Sequence, residues 1–140
     1  GLNSPLIYSA TLQPLVKKLG LQEVLQITRP ALWGIGSGAP AMSEMMGITG
    51  KDAIAIASVI YPFEEQVLRI EGRVTEVSPD RVVREVTKCP WQDFIGPEFC
   101  EVLMYVNQGM VEAMNPEYKF TMPKMIPCGD PVCQWILEKK

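Results

Sequence analysis

The chemistry open to this chain rests on four thiols and one amide. Cys89, Cys100, Cys128 and Cys133 fall in the last part of a 140-residue sequence that has no histidine. A Ser-His or Cys-His pair and a histidine-bearing zinc site are therefore excluded, and any reaction must use thiols, carboxylates, amides, lysines or tyrosines. Cys100 is expected in the first turn of a helix that begins after Pro97. Free amide hydrogens and the positive dipole end there favour an anion and lower a thiol pKa, although Glu98 and Glu101 oppose the effect. Asn107 stands two turns further on, beneath Cys100, and a buried amide needs protein partners or a ligand to supply them.

If Cys133 points inward from a strand beneath that helix, it meets Cys100. Three outcomes then compete: inert buried thiols, a metal site, or a thiol-lined catalytic pocket. No cofactor is required. Zinc is the alternative, held by Cys89, Cys100, Cys128 and Cys133 as a tetrahedral thiolate set. The intervening stretches of ten, twenty-seven and four residues match a usual zinc knuckle only at Cys128 and Cys133. Four thiolates also leave no open coordination position, so such a site would be structural rather than catalytic.

The elements that must position these groups follow from composition and period. With 47% hydrophobic and 21% charged residues and a net charge of −3, the chain reads as an ordinary globular protein. Nothing in the charge favours nucleic acid or an anionic membrane as partner. The longest apolar stretch, Ala53 to Phe63, has about half of the ~20 residues that span a bilayer, so it reads as a buried element. No secretory signal pattern is present, which points to a cytoplasmic location and reduced thiols.

The first half reads helical and the second mostly strand. Ser4-Pro5 caps a helix whose apolar residues Leu6, Ile7, Leu12, Leu15, Val16 and Leu19 run to Gly20, with a kink at Pro14. A second helix from Gln22 to Trp33 offers Val24, Leu25, Ile27, Leu32 and Trp33 for burial. Gly34 to Gly38 (GIGSG) reads as a flexible loop, and Met42, Met45 and Met46 as adaptable filling or a lining for an apolar ligand. Thr49 to Asp52 resembles a capping box, opening a central helix that stops at Pro62.

From Leu68 the period changes to two. Ser78-Pro79-Asp80 turns the chain into a strand over Val82–Lys88. A three-residue loop sets Val74 opposite Val86, Val77 opposite Val83 and Glu76 opposite Arg84. The helix after Pro97 faces inward with Phe99, Val102, Leu103, Val106, Met110 and Ala113, and ends at Asn115-Pro116. Strands over Tyr118–Ile126 and Val132–Glu138 close the chain around a tight CGDPVC connection, with Cys133, Trp135 and Leu137 on one face. The expected architecture is an α+β domain spanning 1–140. A mainly helical part, 1–66, precedes a β-β-α-β-β part, 67–140, with a four-stranded, largely antiparallel sheet.

Four short motifs stand in order: Val-Thr-Lys-Cys89-Pro90-Trp91, Phe99-Cys100-Glu101, Asn115-Pro116, and Cys128-Gly129-Asp130-Pro-Val-Cys133-Gln-Trp135. Over roughly residues 68 to 138 this arrangement resembles the L-2-amino-thiazoline-4-carboxylic acid hydrolase-like family. It is also distantly similar to 4-vinyl reductase-like domains, which bind small hydrophobic molecules and sometimes zinc. The resemblance implies Cys89, Cys100, Asn115, Gly129, Asp130 and Cys133 as family positions, with Asn107 where the family tends to have an acid.

The implied activity opens a small cyclic amidine, or another C–N bond, in a thiol-lined pocket. Cys100 is the candidate nucleophile, Cys133 a second pocket thiol and Asn107 a polarising or binding group; Trp33, Met46, Asp130 and Trp135 are candidate ligand contacts. Two non-catalytic readings stand beside it. One is a binding domain for a small, partly apolar ligand. The other is a zinc-stabilised interaction domain that forms a homodimer through a strand edge or an apolar helix.

Overall fold

The computed structural model describes residues 3–93 and 96–140, without the side chains of residues 3–5 and 99. The first helix begins at Asn3, so Ser4 stands inside it rather than at its cap; the inward placement of Phe99 lies outside the described residues. Helices α1 (Asn3–Leu19), α2 (Leu21–Gly36), α3 (Ala39–Met45) and α4 (Ala53–Pro62) precede strands β1 (Glu71–Val77) and β2 (Arg81–Lys88). Helix α5 (Pro97–Met114) then leads to β3 (Tyr118–Lys124) and β4 (Cys133–Lys139). The strands form one antiparallel sheet in the order β1-β2-β4-β3. The α+β class and the four-stranded antiparallel sheet are as the sequence implies.

Only the last of the glycines after Trp33, Gly38, lies in a turn; Gly34 and Gly36 are helical. Helix α2 continues through them to Gly36, because the helix must cross α5 at backbone contact distance. A Cβ on Gly36 would stand 2.2 Å from the carbonyl oxygen of Val106, and one on Gly109 would stand 2.4 Å from that of Trp33. A side chain at either place would push the two helices apart. The apolar stripe expected on α1 is only partly used: Leu12 is buried, whereas Leu6, Ile7, Leu15 and Leu19 are exposed, as is Ile27 on α2.

Helix α4 runs through the centre. Its cap is Asp52 rather than Thr49: the Asp52 carboxylate accepts the Ala55 amide hydrogen at 2.9 Å. Ile56, Val59 and Ile60 are fully buried and pack with Val82, Trp135, Leu137 and Phe120 of the sheet and with Val106 and Met110 of α5. Each such side chain contributes about 1.5–3 kcal/mol by leaving water.

Pro62 does not end the helical path. The chain widens into a π turn, Phe63–Val67, in which the Leu68 amide donates to the Phe63 carbonyl five residues back at 3.3 Å. Arg69, at φ 60°, then redirects the chain toward β1.

The hairpin register differs from the expected one. Ser78 and Arg81 exchange backbone hydrogen bonds at 2.7 and 3.2 Å, so the loop is the two residues Pro79-Asp80. Val77 therefore faces Val82 and Glu76 faces Val83; after an irregularity between Val74 and Glu76, Val74 faces Arg84. Glu76 pairs with Arg81 at 3.2 Å instead of with Arg84. Arg84 thus has no surface partner on β1, and it is fully buried.

Among the described residues no helix is long and apolar enough to cross a membrane.

Candidate functional site

Residues at positions 100, 103, 104 and 107 share one helical face, and on α5 that face closes a cavity of about 70 Å³. Cys100, Leu103, Met104 and Asn107 form its roof. Val86 and Cys89 come from the end of β2, Cys133 and Trp135 from β4, and Met122 from β3. Glu64 of the π turn, with Leu68 and Ile70 beyond it, completes the wall. By the ~10–15 Å³ that one water needs, the space holds roughly five waters or a short apolar chain.

The structure thus brings Cys100, Cys133, Asn107 and Trp135 to one cavity. Val86 pairs with Cys133 in the β2–β4 register, which sets Cys133 beside the end of β2. The Cys133 sulfur accepts the Ile126 amide hydrogen at 3.2 Å. Cys128 is exposed in the short 3-10 turn Ile126–Cys128 and is not part of the wall.

The cavity keeps its thiols protonated. Burial, reinforced by the neighbouring Cys133, Cys89 and Cys128, pushes Cys100 up to about 12. Burial raises Cys89 and Cys133 as well. The expected activation of Cys100 by the α5 N-terminus is therefore outweighed by loss of solvent. At pH 7 a thiol of that pKa is thiolate in only about one molecule in 10⁵.

The polar end of the cavity is organised by Glu64, which is 3% exposed. Asn107 Nδ2 donates to its Oε1 at 3.0 Å, and Trp135 Nε1 donates to its Oε2 at 3.0 Å. Arg84 Nη1 forms an ion pair with the same Oε2. The guanidinium is held from behind: Nη2 donates to the Ile70 carbonyl at 3.2 Å, and its carbon lies 4.3 Å from the centre of the Tyr61 ring. Among the described residues Arg84 Nε has no hydrogen-bond partner. Burial pushes the Glu64 carboxyl up, against the opposing pull of Arg84, Trp135 and Asn107.

Neither Glu64 nor Arg84 was among the expected site residues. Glu64 lies beyond the end of α4 at Pro62. Arg84 did carry a signal, since it alternates with Val82 and Val86 on the inward face of β2.

The other expected contacts lie elsewhere. Trp33 is half-buried on α2, with the Arg29 guanidinium 5.2 Å from its ring centre, and it lines a separate groove with Gln108 and Glu112. Met46 is exposed at the end of α3. Asp130 accepts the Met125 amide hydrogen at 2.8 Å and closes the turn before β4. Gly129 takes φ 96°, a left-handed conformation that favours glycine. Asn115 donates to the Lys51 carbonyl at 2.9 Å and accepts from the Glu117 amide at 3.0 Å. The Asn-Pro and Gly-Asp motifs thus build turns.

The zinc alternative lacks a ligand set: among the described residues no three cysteine, aspartate or glutamate side chains are placed to hold a metal ion.

No family model and no curated protein matches this sequence, so neither comparison supports the hydrolase-like family. Solved structures do match in fold. One is a trafficking protein particle complex subunit 3 from Naegleria fowleri, covalently bound to palmitic acid. It is 13% identical, with a TM-score of 0.68 over 99% of this chain and 94% of that one. Another is the phenol-responsive sensory domain of the transcription activator PoxR, with phenol. It is 14% identical, with a TM-score of 0.69 over 96% of this chain and 74% of that one. This chain shares their fold.

Proposed function

We propose that this chain is a non-catalytic binding domain for a small, mostly apolar ligand held between α5 and the sheet. The cavity itself carries this reading: its wall is apolar apart from Glu64 and Asn107, and its thiols stay protonated. The two fold relatives support it, one bound to palmitic acid and the other to phenol. The cavity is small, and cavities of this kind select ligands by shape and by a few fixed polar groups.

Thermal unfolding in the presence of small aromatics and medium-chain alcohols tests the proposal. A ligand at a hundred times its dissociation constant adds about 2.7 kcal/mol, which raises the midpoint by several degrees. Met104→Trp, which fills the cavity from α5, should abolish the shift. An unchanged shift in that variant would place the ligand elsewhere. Turnover of a cyclic amidine that disappears in Cys100→Ala would replace the binding reading with the catalytic one.

We also propose that the chain forms a homodimer. Its candidate surface is the open apolar groove where exposed Ile54 of α4 faces exposed Val74 and Val77 of β1, and sedimentation tests it.

A further inference from the structure

The one cationic donor near the cavity is spent on a carboxylate, as are two neutral ones. Asn107 Nδ2, Trp135 Nε1 and Arg84 Nη1 all point at Glu64. What remains toward the cavity is the Glu64 carboxylate, the Asn107 carbonyl oxygen, which forms no hydrogen bond among the described residues, and only neutral donors, the second Asn107 N–H and the weakly donating thiols. Arg84 is not part of the wall. It lies behind Glu64 against Ile70 and Tyr61, so the ion pair presents its negative end to the cavity and its positive end away.

This polarity sorts ligands by charge. A carboxylate entering the cavity would lose its hydration and meet Glu64 with no cation to receive it. An ammonium group would also lose its hydration, and the one carboxylate within reach is already neutralised by Arg84. A hydroxyl or amide N–H loses little, because it can donate to the Asn107 carbonyl or to Glu64. Its apolar remainder lies among Leu103, Met104 and Met122.

We propose that Glu64 is the specificity-determining residue of this cavity, restricting it to uncharged apolar molecules that carry a hydrogen-bond donor and rejecting carboxylates of the same shape. The inference rests on the binding reading above and adds the chemical class of the ligand.

The test is a calorimetric titration of the whole chain with 1-hexanol, hexanoate and hexylamine at neutral pH. The alcohol should bind about tenfold or more tightly than either ion. Equal or tighter binding of hexanoate or hexylamine overturns the charge selection while leaving the cavity as a binding site. If none of the three binds, and no apolar aromatic does, the binding reading itself falls and this inference with it.

In Glu64→Gln the ratio of hexanol to hexanoate affinity should fall about tenfold; an unchanged ratio overturns the role given to Glu64. If that variant fails to fold, the double variant Glu64→Gln, Arg84→Met takes its place. It removes both buried charges together, so the ratio of hexanol to hexanoate affinity should still fall about tenfold, and an unchanged ratio overturns the role given to Glu64.

Discussion

Replacing Arg84 with methionine exposes the energetics on which the site depends. The guanidinium is fully buried, makes the ion pair with Glu64, donates to the Ile70 carbonyl and lies over Tyr61. Methionine keeps most of the volume and removes these three interactions together with the longer ion pair to Glu65 at 3.6 Å. Glu64 is then left as a buried carboxylate with two neutral donors, Asn107 and Trp135.

Breaking a buried pair in this way costs about 3–5 kcal/mol, because one charge stays desolvated and uncompensated. Protonation limits that cost. Glu64 already titrates above its ordinary value, and loss of Arg84 raises it further. As pH climbs past ~4.3 the unfolded chain loses this proton while the folded variant keeps it. The native state then binds more protons than the unfolded one, so stability falls as pH rises toward the folded pKa, by at most about 1.4 kcal/mol per pH unit. The penalty of Arg84→Met relative to wild type is therefore smallest near pH 4 and grows toward neutrality.

Urea unfolding followed by tryptophan fluorescence at several pH values measures it. With a slope of roughly 1.5–2 kcal/mol per molar urea, the midpoint at pH 7 should drop by about 2 M. The double variant Arg84→Met, Glu64→Gln should recover most of the loss, since it removes both charges. A single variant within about 1 kcal/mol of wild type at pH 7, or a penalty that shrinks as pH rises, would refute the assignment of Arg84 as the counter-charge.

Further expectations concern the helices, thiols and turns. Gly36→Ala places a methyl against the α5 backbone, 2.2 Å from the Val106 carbonyl, and should cost at least about 1–3 kcal/mol by thermal melting. Gly34→Ala, two residues away with nothing within 4 Å, should be neutral or stabilising by up to about 1 kcal/mol. At pH 7.5 a thiol reagent should modify Cys128 first, with Cys89, Cys100 and Cys133 following only as urea opens the chain; four equal rates would contradict their burial. Asp130→Ala, which loses the bond to the Met125 amide, should cost about 1 kcal/mol in urea while leaving hexanol affinity unaltered.

The elements could be read from the sequence because their periods are unambiguous. The apolar α4, the amphipathic α5 and the alternation of β4 each admit one arrangement. The face of α5 that carries Cys100 and Asn107, and the inward set Cys133, Trp135 and Leu137, follow from those periods.

The details that failed share a cause: a local rule met a stronger tertiary contact. GIGSG looked flexible, but its Gly36 lets α2 approach α5. Pro62 does end α4, but a wider π turn then carries the chain on to Glu64. The favourable surface pairing of Glu76 with Arg84 argued for a three-residue loop, whereas the two-residue turn and the bulge near Val74 sent Arg84 inward. No local rule could disclose Glu64, because its partners come from β2, α5 and β4, 20, 43 and 71 residues further along the chain.

The interrupted ladders that obscured the register also bear on self-association. β1 and β3 are the outer strands, and each departs from regular pairing, β1 between Val74 and Glu76 and β3 between Thr121 and Lys124. The second interruption contains Pro123, which has no amide hydrogen to offer, and β3 ends in Lys124. An arriving strand therefore meets no continuous row of donors and acceptors on either border, and a lysine would be desolvated by docking. Growth of the sheet from chain to chain, the first step toward fibrous aggregation, is opposed on both sides by the same irregularities.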